Sequence, residues 1–162
     1  MESYEKRKRI LLVCSDGGHL AQILELKELM DRYHYLLVTE QTSATSQLTE
    51  KYNIRFVKPR SDGQKRNWNF FLSLFSNFSR AFSILLEHKP KVVITTGSHT
   101  AVPFCLLSKI LGIKVVWILS FARINSKAKS ASLIYPLADK FIVQWPNMKT
   151  HYKKAVYLGS IY

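Results

Sequence analysis

Acidic residues are scarce: 11 Asp and Glu stand against 24 Lys and Arg, so the formal net charge of the 162-residue chain is +13. A surface of that sign seeks polyanions, namely nucleic acid, an anionic membrane or phosphorylated substrates. Cysteine is scarcer still. Cys14 and Cys105 both lie in apolar segments, which reads as two buried thiols in a reducing compartment and excludes a disulfide framework. There is no CxxC pair and no His/Cys cluster, so neither a metal nor any other cofactor is expected. No run approaches the ~20 consecutive apolar residues of a membrane-spanning helix, and the basic start, Met1 to Arg9, leads into no signal-peptide pattern. A cytoplasmic protein is therefore expected, free to lie on a membrane surface. Repeats and low-complexity stretches are absent too.

Hydrophobic residues make up 47% of the chain, enough for one globular domain spanning residues 1–162. Short apolar runs recur at 10–14, 35–38, 54–57, 91–95, 114–119 and 140–143, with a further candidate at 155–158. Each reads as a buried strand. Helical patterns fall between them: one from Gly18 past Met30, a polar one at 43–52, a long one at 67–88, a small apolar one at 101–111, and a short one at 131–138 near Pro136. Strands alternating with helices mean a Rossmann-like α/β fold, a parallel sheet of six to seven strands with helices on both faces. Right-handed crossovers give the strand order 3-2-1-4-5-6, which makes the first and fourth strands neighbours at the switch point where ligands bind.

Two similar loops then meet. Ser15-Asp16-Gly17-Gly18-His19 follows the first strand, and Gly97-Ser98-His99-Thr100 follows the fourth. Glycines let the backbone turn sharply and approach a ligand, and N–H groups at a helix start favour an anion. His19 suits a general base or a phosphate partner. Asp16 could orient His19 or cap the helix. Arg123, Lys127 and Lys129, after the fifth strand, form either a solvated loop or a second clamp for a diphosphate. The first loop does not fit GxGxxG, although Glu40 ends the second strand where a ribose-binding acid would sit, and no GK[ST] follows it. A dinucleotide site and a Walker loop are thus disfavoured.

Residues 67–88 carry Trp68, Phe71, Leu72, Phe75, Phe78, Phe82, Leu85 and Leu86 on one face, with Phe70, Leu74, Ala81 and Ile84 on a second flank. Such a helix could be wedged between the sheet and a neighbour. Its apolar width and the preceding Lys58, Arg60, Lys65 and Arg66 also suit an anionic membrane surface, with Trp68, Phe71, Phe75, Lys65 and Arg66 in contact. The basic residues are dispersed and no nucleic-acid module is visible, so nucleic acid is not the expected partner.

The stretches SDGGHL, TTGSHTAVPFCLLSKILGIKVVWI, SFARINSKAKSASLIYPLADKFIVQWP and AVYLGSIY together resemble the acceptor-binding half of a split GT-B glycosyltransferase. That half is known from the two-subunit N-acetylglucosaminyltransferase of dolichol-linked oligosaccharide synthesis, the Alg14-like family, with a closer likeness to bacterial counterparts in capsule and exopolysaccharide synthesis. The N-terminal domain of the transferase making the lipid-linked peptidoglycan precursor is a more distant relative. The resemblance implies the N-terminal half of a GT-B fold and no activity without a partner. It implies a polyprenyl-diphosphate-linked glycan as acceptor, a nucleotide-sugar-binding glycosyltransferase subunit as partner, and a place on the inner face of the cell membrane. It matches Gly17, Gly18 and His19 to the family's glycine-histidine turn, Gly97 and Ser98 to its second glycine loop, and Arg123 to its arginine. With these go His19 as catalytic residue and Ser15, Gly17, Gly18, Gly97, Ser98, His99 and Arg123 as acceptor or diphosphate ligands. Where many relatives have Glu-Ser, this chain has Leu119-Ser120, and Asp16 replaces a small residue. A stand-alone Rossmann-like nucleotide-binding enzyme and a non-catalytic scaffold are the alternatives.

Overall fold

The computed structural model describes residues 7–59 and 68–162, without the side chains of 68–74. Seven strands form one parallel sheet: β1 (Arg9–Cys14), β2 (His34–Glu40), β3 (Ile54–Val57), β4 (Val92–Gly97), β5 (Lys114–Ile118), β6 (Lys140–Val143) and β7 (Val156–Tyr157). Their order is β3-β2-β1-β4-β5-β6-β7, the expected order with one strand added. Side chains alternate across each strand. Leu11 and Val13 join Leu36, Val38 and Val93 in one core; Ile10, Leu12 and Cys14 join Leu37 and Ile94 in the other. Both faces of the sheet are thus dry, which is why its strands read as continuous apolar runs.

Among the described residues five helices cover these faces: α1 (Gly18–Leu24), α2 (Lys27–Arg32), α3 (Trp68–His88), α4 (Ala101–Ile110) and α5 (Lys129–Ile134). α1 and α2 supply Leu20, Ile23 and Met30 to one core, while α3, α4 and α5 supply Ile84, Leu85, Phe104, Cys105 and Ile134 to the other. Three expectations need correction. The first helical pattern is two helices, because the chain tightens at Glu25 and Leu26, whose N–H groups donate three residues back to Gln22 and Ile23. The polar pattern at 43–52 shrinks to a 3₁₀ turn, Ser46–Glu50. The short helix after the fifth strand begins at Lys129 and stops at Ile134, before Pro136.

The long helix departs most. Its buried face is Ala81, Ile84 and Leu85. Ala81 and Ile84 belong to the predicted second flank and Leu85 to the predicted main face. Phe75, Phe82 and Leu86, at spacings of seven and four, point outward with 75%, 45% and 46% of their surface exposed. Ala81, Ile84 and Leu85 pack into the core beside α4, and Phe75 and Phe82 are left on the outward side. Lys65 and Arg66, and the side chains of Trp68 and Phe71, lie outside the described residues. Among the described residues no helix is long and apolar enough to cross a membrane.

Candidate functional site

The site is built by a register shift between β1 and β4. Val13 pairs with Thr95 but Cys14 pairs with Gly97, so Thr96 is an extra residue in β4. A bulge of this kind re-aims the groups it carries. Here the carbonyl and the hydroxyl of Thr96 turn to His19: the His19 Nδ1–H donates to the Thr96 carbonyl at 2.6 Å, and the Thr96 hydroxyl donates to the His19 carbonyl at 2.8 Å. A carbonyl only accepts, so Nδ1 carries the proton and Nε2 keeps its lone pair. Burial pushes the imidazole below its usual range, and nearby Arg123 and His99 push the same way against the Thr96 carbonyl. His19 is therefore a neutral ring with one basic nitrogen at neutral pH, a form suited to taking up a proton.

The second loop is tied to the first through hydroxyls. The Ser15 N–H donates to the Gly97 carbonyl at 2.9 Å, the Ser98 N–H donates to Ser15 Oγ at 2.9 Å, and the two serine hydroxyls lie 3.0 Å apart. Ser98 Oγ is 3.2 Å from His99 Nδ1. His99 Nε2 lies 2.9 Å from Glu40 Oε1, at ion-pair distance rather than in an aligned hydrogen bond. The same carboxylate oxygen accepts the Thr100 hydroxyl at 2.5 Å. Burial alone would raise the Glu40 carboxyl, but its contacts with His99 and Thr100 outweigh this and hold it below the ordinary carboxylate range. Glu40 thus anchors the second loop.

Asp16 does neither thing expected of it. Its carboxylate accepts the Gly17 N–H at 2.6 Å and the Thr42 hydroxyl at 2.6 Å, fastening the first loop to the segment after β2. Ser98 stands three residues before α4, which begins at Ala101. Cys14 at the end of β1 is inert, its thiol pushed up to about 12 by burial.

These loops form one wall of a cavity of about 410 Å³, and the loop after β5 with the start of α5 forms the other. Four predicted residues line it: His19, Ser98, His99 and Arg123, joined by Lys127 and Lys129. Ser15 and Gly97 are set back from the lining and shape it through the contacts above. Gly17 and Gly18 are exposed outside the lining. Leu119 and Trp117 complete the floor. The Trp117 Nε1–H is buried there without a hydrogen-bond partner, which leaves a donor beside the cavity. Among the described residues no group of His, Cys, Asp or Glu gathers as metal ligands would.

A buried glutamine pair holds the two walls in register. Gln22 Oε1 accepts the Phe121 N–H at 2.9 Å and the Gln144 amide at 2.8 Å. The Gln144 amide also donates to the Leu119 carbonyl, and its oxygen accepts the Ile161 N–H. Gln22, Gln144 and Trp117 carry no motif, and Glu40 stood out only at the position of a ribose-binding acid. The one available signal was a polar residue at a buried position of an apolar pattern, as Gln22 is on α1.

A parallel Rossmann-like sheet with its crevice at the β1/β4 switch point gives the chain the architecture of one half of a GT-B-type fold. Among solved structures the chain is similar to MurG of Acinetobacter baumannii, with 20% identity and a TM-score of 0.70 over 86% of this chain and 42% of MurG. It is similar also to UDP-N-acetylglucosamine 2-epimerase from Rickettsia bellii, with 12% identity and a TM-score of 0.73 over 96% and 45%. The chain spans less than half of either, and at these identities the likeness is one of fold. Residues 10–161 match the family described as oligosaccharide biosynthesis protein Alg14 like, and the chain belongs to that family. It is 36% identical to the UDP-N-acetylglucosamine transferase subunit ALG14 of Rattus norvegicus over 94% of this chain and 82% of the relative. The Schizosaccharomyces pombe subunit is 30% identical over 96% and 84%. These relatives are eukaryotic transferase subunits and lend no support to the capsule and exopolysaccharide setting inferred from the sequence.

Proposed function

We propose that this chain is the acceptor-binding half of a two-chain glycosyltransferase at a membrane surface. The observation that carries this is one cavity lined both by a neutral histidine with a free basic nitrogen, His19, and by three cations, Arg123, Lys127 and Lys129. The cations and the Ser98 hydroxyl suit the diphosphate of a polyprenyl-linked glycan. His19 Nε2 suits the proton of the acceptor hydroxyl as that oxygen attacks the anomeric carbon. The nucleotide leaves with the electrons of the broken bond, and the configuration inverts. Gly17 and Gly18 serve this reading as the turn that delivers His19. The names of the relatives point to UDP-N-acetylglucosamine as donor, held by a separate nucleotide-sugar-binding subunit that closes over the cavity. The exposed Phe75 face of α3, with the excess of basic residues, is the proposed contact with an anionic membrane on the cytoplasmic side.

Reconstitution tests the split. A soluble short-chain isoprenyl-diphosphate sugar is assayed with UDP-N-acetylglucosamine, this chain, and a nucleotide-sugar-binding GT-B half, singly and mixed. Transfer is expected only in the mixture, and His19→Gln in the mixture should lower kcat by about 10²–10⁴, the usual range for a positioned general base. Full transfer by the lone chain would overturn the two-chain reading; an unchanged rate in the variant would remove His19 from the chemistry.

A further inference from the structure

Glu40, His99, Ser98 and Ser15 form one continuous polar chain running from the end of β2 to the cavity wall. Its proton positions follow from what each group can do. A carboxylate only accepts, so in neutral His99 the proton sits on Nε2, towards Glu40, and Nδ1 accepts from the Ser98 hydroxyl. Ser15 Oγ already accepts the Ser98 N–H, so its own hydrogen is free to go to Ser98 Oγ. In that neutral arrangement the Ser98 hydroxyl hydrogen points to His99 Nδ1, and Ser98 and His99 both line the cavity.

An anion in the cavity changes this balance. The charged groups around His99 are Glu40 at the end of β2, Asp16 in the first loop, His19 on α1, and Arg123, Lys127 and Lys129 on the opposite wall. The two carboxylates lie on the loop side, and three cations already occupy the other. A diphosphate entering between them offsets those cations and offers oxygens that only accept.

We propose that His99 is a proton-linked clamp for the acceptor diphosphate: the anion binds together with one proton, which His99 takes on Nδ1 and donates to a phosphate oxygen while Glu40 holds Nε2. The proton comes from solvent, and the only bond formed is N–H. The Ser98 hydroxyl hydrogen, released from Nδ1, turns to the anion as a second donor. Glu40 is the positioning residue of this device, anchored by Thr100. The inference rests on the diphosphate-acceptor reading and adds to it a bound proton and a pH dependence.

The probe is a short-chain isoprenyl-diphosphate-linked N-acetylglucosamine, whose two phosphates keep fixed single charges near neutral pH. Calorimetry with the full chain in two buffers of different ionisation enthalpy counts the protons taken up. Nδ1 of His99, followed by ¹⁵N NMR, reports where they go. Net uptake is expected, with affinity falling by at most about tenfold per pH unit, the slope of one linked proton. The His99 Nδ1 resonance should move to its protonated position on binding. His99→Gln should abolish the uptake, and Glu40→Gln should reduce it. Binding without uptake, uptake that survives in His99→Gln, or an Nδ1 resonance that stays put would each overturn the clamp and leave the acceptor reading standing. If His99→Gln does not fold, the wild-type resonance decides alone. Failure of the wild-type chain to bind the probe would overturn both.

Discussion

At Gly97 the backbone takes φ +102°, and a Cβ there would lie 3.1 Å from His19 Cε1 and 3.3 Å from both His19 Nδ1 and Trp117 Cζ2. Two costs combine: a left-handed backbone that side chains rarely adopt, and a methyl pressed into the ring that the Thr96 carbonyl holds. Gly97→Ala should therefore cost about 1–3 kcal/mol of stability and displace the His19 ring. Gly17 has φ +75° with nothing within 4 Å of its Cβ position, so Gly17→Ala should pay only the backbone share, about 1–2 kcal/mol. Urea denaturation of the two variants, with the His19 ring followed by NMR, checks both. Equal costs and an unmoved ring in Gly97→Ala would show that the contact is not close-packed. Sequence spacing revealed that the Ser15–His19 and Gly97–His99 loops meet, because the switch-point rule depends only on strand order. It did not reveal Glu40 as the anchor of His99 or Gln22 as the tie to Gln144. Those pairings join residues 59 and 122 positions apart and leave no local pattern.

At the scale of elements, α3 shows why an apolar pattern fixes a helix but not its orientation. Its apolar residues cover an arc wider than one buried face requires, so the pattern alone leaves more than one rotation open. Which one wins is decided by how closely α4 and the sheet approach, information held in other elements. The result separates two classes of position. Leu85 is 1% exposed and Phe82 lies on the outward stripe with Phe75. Leu85→Ala should cost about 2–5 kcal/mol. Phe75→Asp with Phe82→Asp should change stability by no more than about 0.5 kcal/mol each, as surface changes do. If the stripe meets a membrane, that folded double variant should lose flotation with anionic vesicles, and flotation of the wild-type chain should weaken with salt as the Debye length contracts. Undiminished flotation of the folded variant would remove α3 from the membrane contact.

Over the whole molecule, the sheet order was readable because alternating apolar runs leave few topologies. The second cavity wall was not, because the position of the loop after β5 depends on the buried Gln22–Gln144 pair and on the Trp145 N–H donated to the Phe121 carbonyl. The balance of charge across the fold has a consequence for stability. His19 and His88 are both pushed below the usual imidazole range, first by burial and then by neighbouring positive groups; for His88 these are His34, Arg9 and Arg55, opposed by the Ile10 carbonyl. In the unfolded chain both rings recover values of about 6.5. As pH falls below that value the unfolded state binds more protons than the folded one, so stability must fall with pH. Each ring contributes a slope of at most about 1.4 kcal/mol per pH unit. A second decline is expected at lower pH from groups shifted down in the folded state: Glu40, and Asp139, held at about 2 by the Val115 N–H, Lys109 and Lys114 despite opposing desolvation. Their contribution is present above about 4, the unfolded carboxylate range, and is lost as pH falls through the folded values. Urea midpoints should therefore decrease from pH 7.5 to pH 5.5, before any carboxylate titrates, and His88→Gln should flatten that first decline. A midpoint that stays level or rises over this interval would mean that the two rings are protonated at no cost in the fold. His19 would then be no neutral base.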